Sequence, residues 1–130
     1  MSINNDSTYN LIKKGLDMST LRGKLISNNV ANINTKDYKR YYINFEDVMK
    51  GANENLSLKN TKEKHISGNN SSLESNVQKD KSTSMRTDGN NVDLDLEKVD
   101  QAANTMMFNA LVTRANGKLG LTNYIISGGN

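Results

Sequence analysis

The residues best suited to chemistry lie in one acidic stretch, DGNNVDLDLEKVD, from Asp88 to Asp100. Such a run could suggest calcium, but an EF-hand loop needs glycine at its sixth position and glutamate at its twelfth. Here the glycine is second, at Gly89. We therefore predict no metal site. Instead, Asp93 should cap a helix whose first turn carries Asp95 and Glu97 near the positive end of the dipole.

Other candidates for catalysis are weak. His65 lies in a lysine-rich polar stretch, with no carboxylate or nucleophile at a recognisable spacing. Gly15 and Gly23 fall inside a predicted helix and form no phosphate-binding loop. The chain has no cysteine, which excludes disulfides and sulfur-based zinc sites. We expect no enzymatic activity and no cofactor.

The segment KDYKRYY, Lys36 to Tyr42, mixes basic and aromatic residues, as single-strand nucleic-acid binders do. The formal charge of +3 is mild and does not argue for nucleic acid, which would call for a clustered basic face. A strand that packs Tyr41 or Tyr42 on a helix pair is the favoured interpretation. No nucleic-acid partner and no small-molecule substrate are predicted.

The composition limits the size of any core. The 130 residues are 35% hydrophobic and 5% aromatic, and the mean hydropathy is -0.71. No apolar run approaches the roughly 18 residues of a membrane span, and no basic-then-apolar signal peptide opens the chain. A compact core made from the whole chain is therefore not expected.

Apolar residues concentrate at the two ends of the chain. Only seven lie between Gly51 and Asn91, too few to offset the entropy of ordering that segment. We predict a discontinuous helical core, residues 1–35 plus 92–130, and a polar insert, residues 36–91. The insert should be loosely folded or disordered in the isolated subunit. It could hold short strands around Tyr41 to Val48 and Asn55 to Leu58.

The fold class predicted is mainly α, with long terminal helices paired as a coiled-coil-like bundle. The first helix should run from about Ser7 to Asn34, with an apolar arc of roughly 220°, about twice what one core requires. The second should run from about Asp93 to Ile126, with apolar residues on two nearly opposite sides. The first side carries Leu96, Val99, Ala103, Met106, Met107, Ala110, Leu121, Tyr124 and Ile125. The second side carries Phe108, Val112, Ala115, Leu119 and Ile126.

A helix that is apolar on two sides must be buried on two sides. The first helix can cover one side of the second, and the chain has no third apolar element for the rest. An exposed apolar face of several hundred Å² predicts association with other chains. The alternative is that the insert folds back over that face.

The stretch SNNVANINTKDYKR, Ser27 to Arg40, resembles the signature of the bacterial flagellar rod, hook and hook-associated proteins. That pattern reads roughly N-N-hydrophobic-A-N-x-x-T-P-G-Y-K, and Lys36-Asp37 stand where the family has Pro-Gly. The matching residues are Asn28, Asn29, Val30, Ala31, Asn32, Asn34, Thr35, Tyr38 and Lys39.

The other end resembles the proximal rod subunits of the same family. It carries the DGNNVDxD motif from Asp88 to Asp95, followed by a helix with an aromatic residue and a final K-x-G-L-x-x-x-I. The matching helix residues are Phe108, Ala110, Leu111, Lys118, Gly120, Leu121 and Ile125.

The resemblance implies a non-enzymatic building block of the basal-body rod, which polymerises through its terminal helices. Implied partners are further copies, other rod subunits, the rod adaptor FliE near the membrane ring, and the type III export apparatus. The implied location is the flagellar basal body, outside the cytoplasmic membrane. The asparagine cluster either caps its helix locally or bonds to neighbouring subunits.

Two alternatives stay open at this point: another rod subunit such as FlgC, or a helical type III export adaptor or chaperone. For the leading hypothesis, we predict that subunit contacts use apolar stripes on both helices and the turn after the first. The predicted residues are Leu21, Leu25, Ile26, Val30, Asn28, Asn29, Asn32, Thr35, Tyr38, Leu96, Val99, Met106, Phe108, Leu111, Val112, Leu119, Leu121 and Ile125.

Overall fold

The computed structural model describes residues 5–50, 76–83 and 86–128, and two long helices dominate them. The helices of 27 and 33 residues span about 40 and 50 Å. In chain order the elements are α1 (Asn5–Ala31), β1 (Tyr41–Tyr42), a helical segment at 45–50, β2 (Gln78–Lys79) and α2 (Leu94–Ile126). The predicted mainly helical class with paired terminal helices is confirmed.

The start of α2 is fixed by a side-chain cap. The Asp93 carboxylate accepts hydrogen bonds from the backbone N–H groups of Asp95 at 2.9 Å and Leu96 at 3.4 Å. These donors have no partner inside the helix, so the cap satisfies them. The predicted capping role of Asp93 is confirmed.

The predicted strand around Tyr41 to Val48 is only partly present. Tyr41 and Tyr42 pair antiparallel with Lys79 and Gln78, but residues 45–50 are helical, so the rest of that prediction is wrong. The reason lies at Asn44, whose carbonyl accepts the Val48 N–H in a helical turn. The strand predicted at Asn55 to Leu58 and the isolated His65 lie outside the described residues.

The two helices pair antiparallel through a largely polar contact. Gly15 faces Leu111, since a Cβ placed on Gly15 would lie 3.2 Å from a Leu111 methyl carbon. Further along α1, Ser19 bonds to Asn104, with both side chains buried. Small and polar residues thus replace part of the apolar seam that a coiled coil would carry.

The hydrophobic core lies elsewhere, between α1 and the segment that follows β1. Its buried members are Met18, Ile43 and Val48, and their side chains are at most 4% exposed. The residues packed around them are Leu21, Leu25 and Phe45. Residues 43–48 of the predicted insert therefore supply half of this core.

Much of the apolar surface of α2 remains uncovered. Val99, Met106 and Tyr124 are 65, 68 and 58% exposed. On the other apolar side, Val112 is half-buried while Leu119 is 50% exposed. Neither α1 nor the described parts of the insert cover both sides, in agreement with the expected excess of apolar surface.

We predict that Asn104→Ala lowers the free energy of unfolding by about 1–3 kcal/mol. The Asn104 Nδ2 donates to the Ser19 carbonyl at 3.0 Å, and the Ser19 hydroxyl donates to Asn104 Oδ1 at 2.9 Å. The substitution leaves both buried Ser19 groups without these partners. Urea unfolding measures the change, with the exposed Asn109→Ala as the matched control. Equal midpoints for the two variants would contradict the structural role of this bond.

Candidate subunit interface and the motif junction

The two motifs singled out in the sequence meet in space. The Asp37 N–H donates to the Asp88 carbonyl at 2.8 Å, and the Arg40 N–H donates to Asn91 Oδ1 at 2.8 Å. Lys39 Nζ donates to the Gly89 carbonyl at 2.7 Å. We call this contact, between residues 28–41 and 86–97, the motif junction. It joins segments about fifty positions apart in the chain.

Asn90, in the second motif, forms hydrogen bonds with the backbone that follows α1. Its fully buried Nδ2 donates to three carbonyls that follow the helix, those of Asn32, Ile33 and Thr35, at 2.8–3.0 Å. Its Oδ1 accepts the Val92 N–H at 2.8 Å. Within the asparagine cluster, Asn32 Nδ2 caps the helix locally by donating to the Asn28 carbonyl at 2.8 Å, and Asn90 supplies donors to the turn that follows.

Asn29 binds the backbone of β1. Its Oδ1 accepts the Tyr41 N–H at 2.9 Å, and its Nδ2 donates to the Tyr41 carbonyl at 2.8 Å and to Glu97 Oε1 at 3.2 Å. The Tyr38 hydroxyl donates to the same Asn29 Oδ1 at 3.3 Å. Burial, followed by the nearby Tyr41 and Glu97 charges, raises the pKa of Tyr38. Asn29 therefore provides hydrogen-bond partners for the backbone groups of Tyr41, which would otherwise be unpaired at the edge of β1.

A carboxylate and a guanidinium complete the junction. Arg40 Nε donates to Glu97 Oε1 at 2.9 Å, and Arg40 Nη2 donates to Asp100 at 3.0 Å. Arg22 of α1 reaches the same Asp100 at 3.3 Å. Glu97 is fully buried, and its Oε2 accepts no hydrogen bond from the described part of the chain. The charge of Glu97 is thus balanced mainly by Arg40.

Two residues at the junction have left-handed backbone conformations. Asp37, at the glycine position of the family signature, has φ +56°, and Gly89 has φ +76°. A Cβ on Gly89 would collide with the Asp37 carboxylate. Aspartate tolerates this conformation better than most residues, which accounts for a turn without the family's Pro-Gly.

We predict that Gly89→Ala destabilises the protein by about 1–2 kcal/mol from the positive φ alone, and more from the collision with Asp37. The control is Gly120→Ala in the exposed part of α2, where a Cβ would meet nothing within 4 Å. That change should stabilise the protein by about 1 kcal/mol, since alanine is the better helix former. Thermal unfolding should give a lower midpoint temperature for Gly89→Ala and a higher one for Gly120→Ala than for the unchanged chain. Midpoint changes in the same direction for both variants would contradict the conformational argument.

We also predict that Arg40→Met costs about 3–5 kcal/mol, because it leaves the buried Glu97 carboxylate without its cation. The double variant Arg40→Met with Glu97→Gln should recover part of that loss. Chemical denaturation of the two single variants and the double variant gives the coupling energy. Strictly additive losses would show that the pair does not act as a unit.

The predicted contact residues divide by exposure. Ile26 and Asn29 are buried within the chain, at 5 and 0% exposure. Those partly buried are Leu21, Leu25, Val30, Asn32, Tyr38, Leu111 and Val112. Those exposed are Asn28, Thr35, Leu96, Val99, Met106, Phe108, Leu119, Leu121 and Ile125. The exposed set lies mainly on α2, so this helix offers the larger free surface.

Sequence reasoning missed several residues that matter here. Asn90 and Arg40 carry the junction, yet neither was predicted as a site residue. Asn90 gave a signal as part of the DGNN motif, whereas nothing near Arg40 in the sequence points to Glu97. Tyr124 was placed on an apolar side but omitted from the contact set, although it is 58% exposed.

The described residues contain no group of three potential metal-binding His, Cys, Asp or Glu side chains. Within the same ranges, no helix combines the length and apolar character needed to cross a membrane. The notable features are therefore the motif junction and the uncovered face of α2.

Comparison with known proteins gives the family. Over 129 residues the chain is 30% identical to the flagellar basal body rod protein FlgB of Bacillus subtilis (strain 168), covering 99% of both chains. It is 37% identical over 105 residues to FlgB of Borreliella burgdorferi, covering 74% of this chain and 78% of that one. The FlgB of Buchnera aphidicola subsp. Baizongia pistaciae is 30% identical over 126 residues. No family model matches the chain.

The chain belongs to the FlgB family of flagellar basal body rod proteins. It is a structural subunit of the flagellar basal-body rod, and the resemblance read from its two motifs is confirmed. In this FlgB-family subunit, those motifs are the two halves of the motif junction. The family signature therefore coincides with the contact that holds the terminal segments together.

Proposed function

We propose that this rod subunit polymerises through its terminal helices, with the uncovered face of α2 as the main contact surface. The observation that carries the proposal is the exposure of Leu96, Val99, Met106 and Tyr124, which are 44–68% exposed. We call these four residues the outward stripe. At 100° per residue, Val99, Met106 and Tyr124 point within about 20° of one another. One neighbouring helix could cover all three.

The residues between the members of the outward stripe are small. Ala103, Ala110 and Gly117 point within about 40° of Val99, and Asp95 is the charged residue nearest to that direction. A Cβ on Gly117 would meet nothing within 4 Å, so the described chain gives no packing reason for this glycine. Glycine inside a helix costs about 1 kcal/mol relative to alanine. Close approach by a neighbouring helix would account for it.

The proposed assembly partners are other copies of the chain and other rod subunits. FliE and the type III export apparatus remain partners proposed from the family resemblance. A role without catalysis is part of the same proposal. We further propose that residues 1–35 plus 92–130 form the axial core. The insert residues of the motif junction, 36–41 and 86–91, serve to fix its two helices.

Leu111 has a different role from the outward stripe. Its side chain lies against Gly15, so a charge at position 111 would disturb the internal helix pair as well as any external contact. A substitution at Met106 can test assembly with little effect on stability, because this side chain is 68% exposed.

We predict that Met106→Glu abolishes rod assembly while changing the free energy of unfolding by no more than about 0.5 kcal/mol. The substitution places a charge in a surface that a neighbour must desolvate. Motility of a strain carrying the variant as its sole copy measures assembly, and urea unfolding measures stability. The control is Asn116→Glu, an exposed site about 100° from the outward stripe. Normal swimming of the Met106→Glu strain would count against the proposed surface.

A further inference from the structure

A groove opens between the start of α1 and the end of α2, at the opposite end of the helix pair from the motif junction. Its volume is about 680 Å³. Ile12, Leu121, Ile125 and Ile126 contribute apolar surface, and three threonines add short polar groups. Leu121, Ile125 and Ile126 are 61, 59 and 78% exposed. None of the four residues of the outward stripe lines the groove, although Ala110 and Gly117 border both surfaces.

The described lining of the groove carries positive charge without a balancing acid. Arg114 and Lys118 both line it, and no aspartate or glutamate does so among the described residues. Neither cation forms an ion pair with a described side chain. The two residues are four apart on α2, which places them about 6 Å apart along the helix axis. An occupant that combines apolar residues with carboxylates would complement both features of the groove.

The described parts of this chain present no strongly acidic apolar helix that could fill the groove of another copy. The outward side of α2 near its start has Asp95, but the exposed Lys98 is close by. In the helical segment 45–50, Val48 is buried against α1 and cannot be offered to a partner. The net charge of +3 also disfavours contact between like chains at the basic groove.

We propose that this groove binds an acidic amphipathic helix of a different protein. The lining residues of α2 run from Ala110 to Ile126, so the occupant spans about 24 Å, or roughly four helical turns. Its apolar face packs on the exposed Leu121 and Ile125. Carboxylates at the edge of that face, three or four residues apart, pair with Arg114 and Lys118.

The test uses the full chain and two synthetic 18-residue helical peptides with the same leucine face. One peptide carries glutamate at the flanking positions and the other carries lysine. Fluorescence anisotropy should show that the glutamate peptide binds at least tenfold more tightly, and that added salt reduces this difference. The double variant Arg114→Glu with Lys118→Glu should reverse the preference. The neutral variant Arg114→Gln with Lys118→Gln should abolish it and serves as a second test if the first misfolds.

Met106→Glu provides the control that separates this groove from the outward stripe, and it should bind the glutamate peptide as the unchanged chain does. Equal binding of the two peptides, or failure of both to bind, would overturn the proposal. So would peptide binding that is unaffected by both double variants. Concentration-dependent self-association in sedimentation experiments, lost in Arg114→Gln with Lys118→Gln, would assign the groove to a second copy and would equally overturn it.

Discussion

The polar contact between α1 and α2 is the constraint on which the rest of the structure depends. Asn29 with Glu97, Arg22 with Asp100, and Ser19 with Asn104 join the two helices along successive turns. Buried polar groups require specific partners at specific positions, unlike an apolar seam that tolerates sliding. A shift of α2 by one turn would leave each of these groups without its partner. The contact therefore fixes both the register of the helices and the side of α2 that faces inward.

The motif junction joins the end of α1 to the start of α2 and so fixes one end of this contact. Asn90 satisfies the carbonyls after α1, while Asn29 holds β1 and bonds to Glu97. Arg40, just before β1, reaches Glu97 and Asp100 on α2. Each of the two motifs thus supplies hydrogen bonds that the other requires. The junction thus depends on hydrogen bonds between the two motifs, although about fifty positions separate them.

The sequence predicted those features that depend on local chemistry. The Asp93 cap, both long helices and the surplus of apolar surface on α2 follow from residue type and spacing within one segment. It did not predict the side of α2 that meets α1, because Glu97 and Asn104 are polar and were assigned no place in a core. Their partners, Arg40 and Ser19, lie 57 and 85 positions away. Periodicity detects burial of apolar residues, and it contains no information on polar pairing across such distances.

The combination of a polar interior contact and an apolar exterior has a physical consequence for an assembling subunit. Apolar burial is non-directional and worth about 25 cal/mol per Å², so nothing in that effect alone would stop α2 from turning Val99 and Met106 towards α1. Such a rotation would carry Glu97 and Asn104 away from their partners, and the lost hydrogen bonds and ion pair oppose it. The polar contact thus keeps the apolar residues outside. The surface that neighbouring subunits would cover is therefore set within the single chain, before any neighbour arrives.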